Sequence, residues 1–243
     1  MTRATGPLRI LLACMMLSVG LAFVPAPADV FAPAPERAEA IPVPTTVPVL
    51  LVPGWFDTDR DLAALRIRLI GAGWAVENVA SVSFSEPTGE NRQHAAEIGE
   101  AARRLAERTG AEKIDIVAHS MGGLAARWYL LHDDDAPVRR VVFLATPHHG
   151  TMTAYLAWGD GGQNMKPGSP FLDSLNAGPV LPPGMEALTV RTPLDTHVIP
   201  GENGILAGIP DRTVCCPTHA GLLRSMDAFR ILRRFLEHGL VDG

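Results

Sequence analysis

The chain has 243 residues, 47% of them hydrophobic, and a formal net charge of −5. This length and apolar content suffice for one domain with a sizeable buried core. The negative charge argues against a nucleic-acid partner and against general electrostatic attraction to anionic membranes.

The N-terminal residues have the pattern of a secretory signal peptide. Arg3 and Arg9 precede an apolar stretch over residues 10–24, and small residues follow at positions 26–28. This apolar stretch is about 15 residues long, whereas a membrane-spanning helix needs about 20. We expect cleavage near Ala28 and secretion of the remaining chain, whose net charge is then −7. Lipidation at Cys14 is the less favoured alternative, because this cysteine lies inside the apolar stretch.

The chain after the signal peptide divides into a leader and a domain. Residues 29–46 are rich in Pro and Ala, which is typical of an extended leader. The domain then covers residues 47–243. Strands are predicted at 47–52, 74–84, 114–117, 138–145, 187–191 and 213–216. Helices are predicted at 57–70, at 90–108, directly after residue 120, and at 221–238. This alternation predicts an α/β fold with a mostly parallel sheet of about six strands and helices on both faces.

One segment interrupts the alternation. Residues 151–185 contain six Gly and five Pro and no long apolar pattern. Ser169 and Pro170 predict the start of a short helix, as N-cap and first helical residue, and Gly178 predicts its end. An insertion of this length in a compact domain is typical of a lid or a binding loop.

The most informative motif surrounds Ser120. An apolar strand leads into Ala118-His119-Ser120-Met121-Gly122-Gly123, and a helix-forming segment follows. A serine on a strand-to-helix turn projects its Oγ above the sheet edge, beside the free N–H groups of the helix N-terminus. Small residues are needed two positions to either side, and Ala118 and Gly122 meet that need. We interpret Ser120 as a nucleophile; the alternative is a serine that only caps the helix.

A nucleophilic serine requires a histidine base and an acid that orients the base. Among the downstream histidines, His219 follows the last predicted strand, at the sheet edge where Ser120 also emerges. Asp195 follows the preceding strand and is the predicted acid. Asp211 and Asp173 compete for this role, but the first precedes its strand and the second lies in the insertion.

The predicted oxyanion hole needs two backbone donors. Met121 N–H comes with the turn around Ser120, and Trp55 N–H, after the first strand, is the predicted second donor. Phe56 N–H is the alternative. The side chains of Trp55 and Phe56 are expected to line the acyl pocket, and His148 and His149, which follow the fourth strand, are further pocket residues.

These motifs resemble the small bacterial secreted lipases and esterases of the α/β-hydrolase superfamily, of the minimal six-stranded type. The similar segments are 52–55 (VPGW), 118–123 (AHSMGG), 146–151 (TPHHGT) and 218–223 (THAGLL). Such lipases often carry His-Gly after the first strand, where this chain has Pro53. The resemblance implies the α/β-hydrolase fold and hydrolysis of carboxylic esters, in particular of lipids, without a cofactor.

The sequence therefore predicts a secreted serine hydrolase with the catalytic residues Ser120, Asp195 and His219 and with no metal. Acyl transfer or amide hydrolysis by the same residues, and an inactive binding protein on this fold, are the alternatives. We expect a monomer that makes transient contact with a lipid interface. The adjacent Cys215 and Cys216 are either free thiols or a vicinal disulfide.

Overall fold

The computed structural model describes residues 47–240. The predicted signal peptide (1–28) and leader (29–46) lie outside the described residues. Six strands form one sheet in the order β2-β1-β3-β4-β5-β6, and every neighbouring pair is parallel. The strands are β1 (Val49–Val52), β2 (Val79–Ser81), β3 (Ile114–His119), β4 (Val138–Leu144), β5 (Glu186–Arg191) and β6 (Asp211–Thr213). The predicted fold class, a parallel α/β sheet, is confirmed.

The central strands are apolar on both sides because helices cover both faces of the sheet. Every residue of β1 and β3 is buried. The helices are α1 (Ala63–Gly71), α2 (Asn91–Thr109), α3 (Met121–His132), α4 (Gly159–Asn164), α5 (Pro170–Asn176) and α6 (Met226–His238). Apolar side chains of α2 and α3 form the core on one face, and those of α1 and α6 form it on the other. Within residues 47–240, no helix combines the length and apolar character needed to span a membrane.

Several predicted elements have different bounds in the structure. The helix expected at 57–70 begins only at Ala63, because residues 57–62 form turns whose carboxylates bind nearby N–H groups. The strand expected at 74–84 is reduced to β2, preceded by a 3₁₀ turn over Val76–Asn78. The last strand, β6, begins at Asp211 rather than at residue 213, because Asp211 binds the side chains of Thr189 and Arg191 on β5.

The predicted terminal helix at 221–238 is two elements. A 3₁₀ helix covers Ala220–Arg224, and α6 then begins after Ser225, whose hydroxyl accepts a hydrogen bond from Ala228 N at 3.2 Å. The break leaves Met226 exposed, although the periodic pattern placed it on the apolar side. The 3₁₀ segment directly follows His219, so this break shapes the end of the sheet where the site lies.

The insertion at 151–185 contains three short helices: a 3₁₀ helix at Met152–Leu156, α4 and α5. Ser169 caps α5 through a hydrogen bond from Leu172 N, with Pro170 at the first turn, as predicted. Buried side chains of the insertion pack against α3; they are Ala154, Met165, Phe171, Leu172 and Leu175. This packing fixes the insertion above the N-terminal end of α3.

Candidate active site

The backbone at Ser120 has the strained geometry of a nucleophile elbow. Ser120 lies between β3 and α3 with φ 51° and ψ −129°, a conformation that non-glycine residues rarely adopt. Its N–H donates to Leu144 O on β4 at 2.8 Å, which anchors the turn to the sheet. A Cβ at Gly122 would lie 2.1 Å from Pro53 O, so the turn tolerates only glycine there. Tertiary packing therefore maintains the strain at Ser120.

His219 and Asp195 form a hydrogen-bonded pair beside this elbow. The Nδ1 atom of His219 lies 2.9 Å from Oδ2 and 3.0 Å from Oδ1 of Asp195. Asp195 also accepts hydrogen bonds from the backbone N–H groups of His197 and Val198, at 2.8 and 2.9 Å. Thr192 ties the two loops together, because its hydroxyl donates to Pro217 O at 2.6 Å. The imidazole of His219 is thereby held in one orientation.

Ser120 and His219 line the same cavity, whose volume is about 450 Å³. Ser120 Oγ and His219 are not hydrogen-bonded to each other in the structure of residues 47–240. Catalytic hydrogen bonds are often long without substrate and shorten when it binds. The further lining residues include Trp55, Phe56, Asp57, His119, His197 and Trp158. The structure therefore brings together the predicted nucleophile, base and acid around one cavity.

The electrostatics of the pair suit a general base. Burial lowers the pKa of His219 below its ordinary 6.5, the hydrogen bond to Asp195 opposes this effect, and the charges of His119 and His197 add to it. For Asp195, burial alone would raise the pKa. The hydrogen bond and charge of His219, together with the two backbone donors, nevertheless hold the pKa below 3.8. Asp195 is thus an anion and His219 is largely neutral near pH 7.

The backbone N–H groups around the cavity distinguish the two candidate oxyanion donors in the first loop. Phe56 N–H donates to Pro87 O at 3.1 Å, so it is already occupied. Neither Trp55 N–H nor Met121 N–H donates a hydrogen bond to any acceptor in the described part of the chain. The geometry therefore favours Trp55 over Phe56 as the partner of Met121, and Phe56 contributes only its side chain.

The two histidines that follow β4 are not part of the cavity lining in the described structure. His148 is completely buried; its ring packs edge-on against Phe143, and burial lowers its pKa well below 6.5. His149 is exposed outside the cavity. The expectation that both line the substrate pocket is corrected: Pro147 lines the cavity, but the ring of His148 is buried against Phe143 and His149 lies outside the lining.

Sequence reasoning missed three residues at the site. The ring of His197 stacks on that of His219, with centroids 4.6 Å apart. His119 lies on the other side, with its centroid 4.7 Å from that of His219, and it binds Asp57. A histidine directly before the serine in the motif was a visible signal for His119. Asp57 had none, because its position suggested the first turn of a helix.

Three groups of metal-ligand type lie close together at this site. Asp195, His197 and His219 each offer a ligand atom, and these atoms lie within 4.8 Å of one another. However, His219 Nδ1 is the donor to Asp195 in the pair described above. A metal ion would have to replace that hydrogen bond, so the donor set fits an oriented base better than a metal centre.

Exposed apolar side chains surround the mouth of the cavity. Phe56, Leu156 and Trp158 line the cavity and also face solvent, and Leu156 is 86% exposed. Trp55 supports this group: its Nε1 donates to Trp158 O at 3.1 Å, and the two rings meet edge-to-face at 4.6 Å. We refer to Phe56, Leu156 and Trp158 as the apolar rim. Such a contiguous exposed patch marks a surface for apolar ligands or interfaces.

A parallel six-stranded sheet, helices on both faces and a serine at the turn between β3 and α3 define a protein of the α/β-hydrolase fold. In agreement, the family model described as the alpha/beta hydrolase fold matches residues 48–168. The chain has the α/β-hydrolase fold, as the sequence motifs predicted.

Solved structures of lipases and esterases have the same fold. The chain is similar to Aspergillus fumigatus lipase B, with a TM-score of 0.69 and 17% identity over 79% of this chain, although it spans only 52% of that protein. The mature lipase BlEst2 of Bacillus licheniformis has a TM-score of 0.65 and 18% identity, covering 80% of this chain and 94% of its own. The metagenomic carboxyl esterase MGS0156 has a TM-score of 0.57 at 18% identity, with 81% and 77% covered.

Proposed function

We propose that the protein is a serine hydrolase that cleaves carboxylic esters, with Ser120 as nucleophile, His219 as general base and Asp195 as the residue that orients the base. The observation that carries this proposal is the buried His219–Asp195 pair, whose histidine lines one cavity with a serine on a strained elbow. A helix cap alone would not explain that pair. The lipase and esterase names of the similar structures add support.

In the first half of the reaction, Ser120 Oγ attacks the ester carbonyl carbon and transfers its proton to Nε2 of His219. Asp195 stabilises the resulting imidazolium through its bond to Nδ1. Negative charge develops on the carbonyl oxygen, which is stabilised by the N–H groups of Met121 and Trp55. His219 then protonates the leaving alcohol, and the acyl group remains on Ser120.

In the second half, a water molecule replaces the alcohol. His219 Nε2 removes a proton from this water, the hydroxide oxygen attacks the acyl-enzyme carbonyl, and the same two N–H groups stabilise the second oxyanion. Collapse returns the proton to Ser120 Oγ and releases the carboxylic acid. The water needs access to His219, and this access is available through the open mouth of the cavity.

Lipid acyl esters are the proposed substrate class. The apolar rim of Phe56, Leu156 and Trp158 gives an acyl chain an apolar surface in the same cavity as Ser120. Removing apolar area from water contributes about 25 cal/mol per Å². The rim carries no charged side chain, so it favours an acyl chain or a lipid surface over a charged ester. We further propose that the protein acts after export, on the strength of the signal-peptide pattern in residues 1–28.

The test is a series of esters of increasing acyl length, soluble and emulsified, assayed with the wild type and with Ser120→Ala. We expect hydrolysis by the wild type and no turnover above background by Ser120→Ala, whose thermal unfolding should match that of the wild type. Rates that rise with chain length and on emulsification support the lipid assignment. Normal turnover by pure Ser120→Ala overturns the nucleophile, and hydrolysis of amides but not esters overturns the reaction class.

A further inference from the structure

Asp57 lies beside the elbow and joins two separate stretches of backbone. Its Oδ2 accepts a hydrogen bond from Gly54 N–H at 3.2 Å and lies 2.9 Å from Nδ1 of His119. Gly54 directly precedes Trp55 in the loop after β1. His119 directly precedes Ser120 at the end of β3. One carboxylate oxygen thus links the segment that carries one oxyanion donor to the segment that carries the nucleophile and the other donor.

The loop after β1 and the elbow lie very close together at Gly54. A Cβ on Gly54 would lie 2.8 Å from Asp57 Oδ2, 2.9 Å from Ser120 Cβ and 3.2 Å from His119 Nδ1. Any side chain at position 54 would therefore separate the loop from the elbow. Gly54 is needed for this proximity rather than for an unusual φ, because its backbone is outside the left-handed region.

His119 contributes an oriented donor. Its side chain is almost completely buried, and an ionised Asp57 only accepts hydrogen bonds, so Nδ1 of His119 carries the hydrogen. Burial would raise the pKa of Asp57, but the hydrogen bond and charge of His119 outweigh it and hold the pKa below 3.8. The pair is therefore charge-assisted, which makes it stronger than a neutral hydrogen bond.

We propose that Asp57 and His119 are positioning residues that hold the two halves of the oxyanion hole at their working separation. This inference rests on the proposed function, since it assigns Trp55 N–H and Met121 N–H to the oxyanion. Neither Asp57 nor His119 exchanges a proton with the substrate. Apart from their hydrogen bond, the first loop is held by the β1–β3 pairing that ends at Val52 and Ala118, by Trp55 Nε1 donating to Trp158 O and by Phe56 N–H donating to Pro87 O, and neither of these two hydrogen bonds is made to the elbow.

The expected consequence is a loss of transition-state stabilisation with little change in substrate binding. Loss of a complete oxyanion donor typically costs about 10²–10³ in rate, and a displacement of about 1 Å can cost about 10². A loop that is displaced but still present should therefore reduce kcat by about 10- to 100-fold. The acyl pocket is built mainly from other residues, so KM should change much less.

The experiment compares Asp57→Ala, His119→Leu, their double variant and His119→Asn, using a soluble ester at the plateau pH of each variant. Asn places an N–H donor near the position of Nδ1, whereas Leu offers none. We expect kcat to fall about 10- to 100-fold in the two single variants, no further in the double variant, and to recover most of its value in His119→Asn. Inhibition by an alkyl boronic acid, which mimics the tetrahedral intermediate, should weaken in parallel with kcat/KM.

Asp61→Ala is the matched control. Asp61 is in the same loop and accepts hydrogen bonds from Thr58 N and Oγ1 at 2.9 and 3.0 Å, but it makes no contact with the elbow among the described residues. Its kcat should stay within about twofold of the wild type, as expected for a surface substitution.

The outcomes separate this inference from the proposed function. If Ser120→Ala is inactive while Asp57→Ala and His119→Leu keep wild-type kcat, the positioning role is overturned and the proposed function stands. Additive losses in the double variant, or a higher KM at unchanged kcat, also overturn it. If Asp57→Ala does not fold, the comparison of His119→Leu with His119→Asn decides, and equal kcat in those two contradicts the proposal. Turnover by Ser120→Ala contradicts the proposed function itself.

Discussion

Nδ1 of His219 lies 2.9 Å from Oδ2 of Asp195, although 24 residues separate them in the chain. Asp195 follows β5 and His219 follows β6. Because parallel strands end at the same edge of the sheet, neighbouring strands deliver the two side chains to one place. The bond is shielded from water, since the His219 side chain is 6% and the Asp195 side chain 3% exposed.

Asp195→Asn should leave the fold intact and lower kcat by about 10³- to 10⁴-fold, because the amide can hold the wrong tautomer of the base. Steady-state kinetics on a soluble ester measures this. Asp211→Asn is the control: Asp211 binds Thr189 and Arg191 within the sheet and should not affect kcat. If the two variants lose activity equally, the acid has been assigned incorrectly.

The pH profile should reflect the lowered pKa of His219. Only neutral imidazole accepts the serine proton, and burial lowers its pKa below 6.5, so kcat/KM should fall to half its maximum at a pH below 6.5. The groups that face His219 are Asp195, Asp57, His119 and His197. His197→Phe keeps the stacked ring and removes one of the neighbours that lower this pKa, so the acid limb should move to higher pH. An unchanged or lower midpoint in this variant would argue against that coupling.

The apolar rim should matter for lipid and not for soluble esters. Leu156→Ser removes an exposed apolar side chain from the cavity mouth, and burying a leucine is worth about 1.5–3 kcal/mol. Activity on emulsified long-chain esters should therefore fall about tenfold or more, while hydrolysis of a short soluble ester is unchanged. Ile67→Ser is the control, because Ile67 is 68% exposed on α1 and does not line the cavity. Equal losses of activity in both variants would contradict a specific role of the apolar rim in the hydrolysis of emulsified esters.

An added side chain at Gly122, in the elbow, should lower the stability of the protein. In Gly122→Ala the new Cβ would meet a backbone oxygen, Pro53 O, at 2.1 Å, so strand and helix must separate. The free energy of unfolding should fall by about 2 kcal/mol or more, at the upper end of overpacking costs. Gly178→Ala meets nothing within 4 Å and should change it by less than about 1 kcal/mol. Urea unfolding of both variants checks this. Equal midpoints would contradict the prediction, because they would mean that the elbow accommodates the added Cβ without loss of stability.

The sequence was sufficient for the parts of the fold that depend on local patterns. β1 is a continuous apolar run, β3 is apolar at four of its six positions, and the capping residue Ser169 marks the start of α5. These patterns involve only residues that are close in sequence, so contacts formed between distant segments do not change what they predict. The order of nucleophile, acid and base along the chain then placed Ser120, Asp195 and His219 at one edge of the sheet.

The remaining features depend on contacts that are distant in sequence. Asp57 is drawn out of the predicted first helix because its carboxylate binds His119, 62 residues away. The stacking of His197 on His219 likewise requires two loops to meet. The sequence left open whether Cys215 and Cys216 are free thiols or a disulfide; the structure joins them in a vicinal disulfide. His148 was predicted to line the pocket because it follows a strand, but its side chain is buried against Phe143. A position after a strand does not determine the direction of the side chain.

Labelling with an alkyl phosphonate ester tests the central claim most directly. The reagent should phosphonylate the protein once, and peptide mass spectrometry should locate the adduct on Ser120, with hydrolysis lost in proportion to labelling. Labelling should be absent in Ser120→Ala and at least about 10³-fold slower in His219→Ala, because the base no longer activates the serine. An adduct on another residue, or complete labelling without loss of ester hydrolysis, would contradict the account.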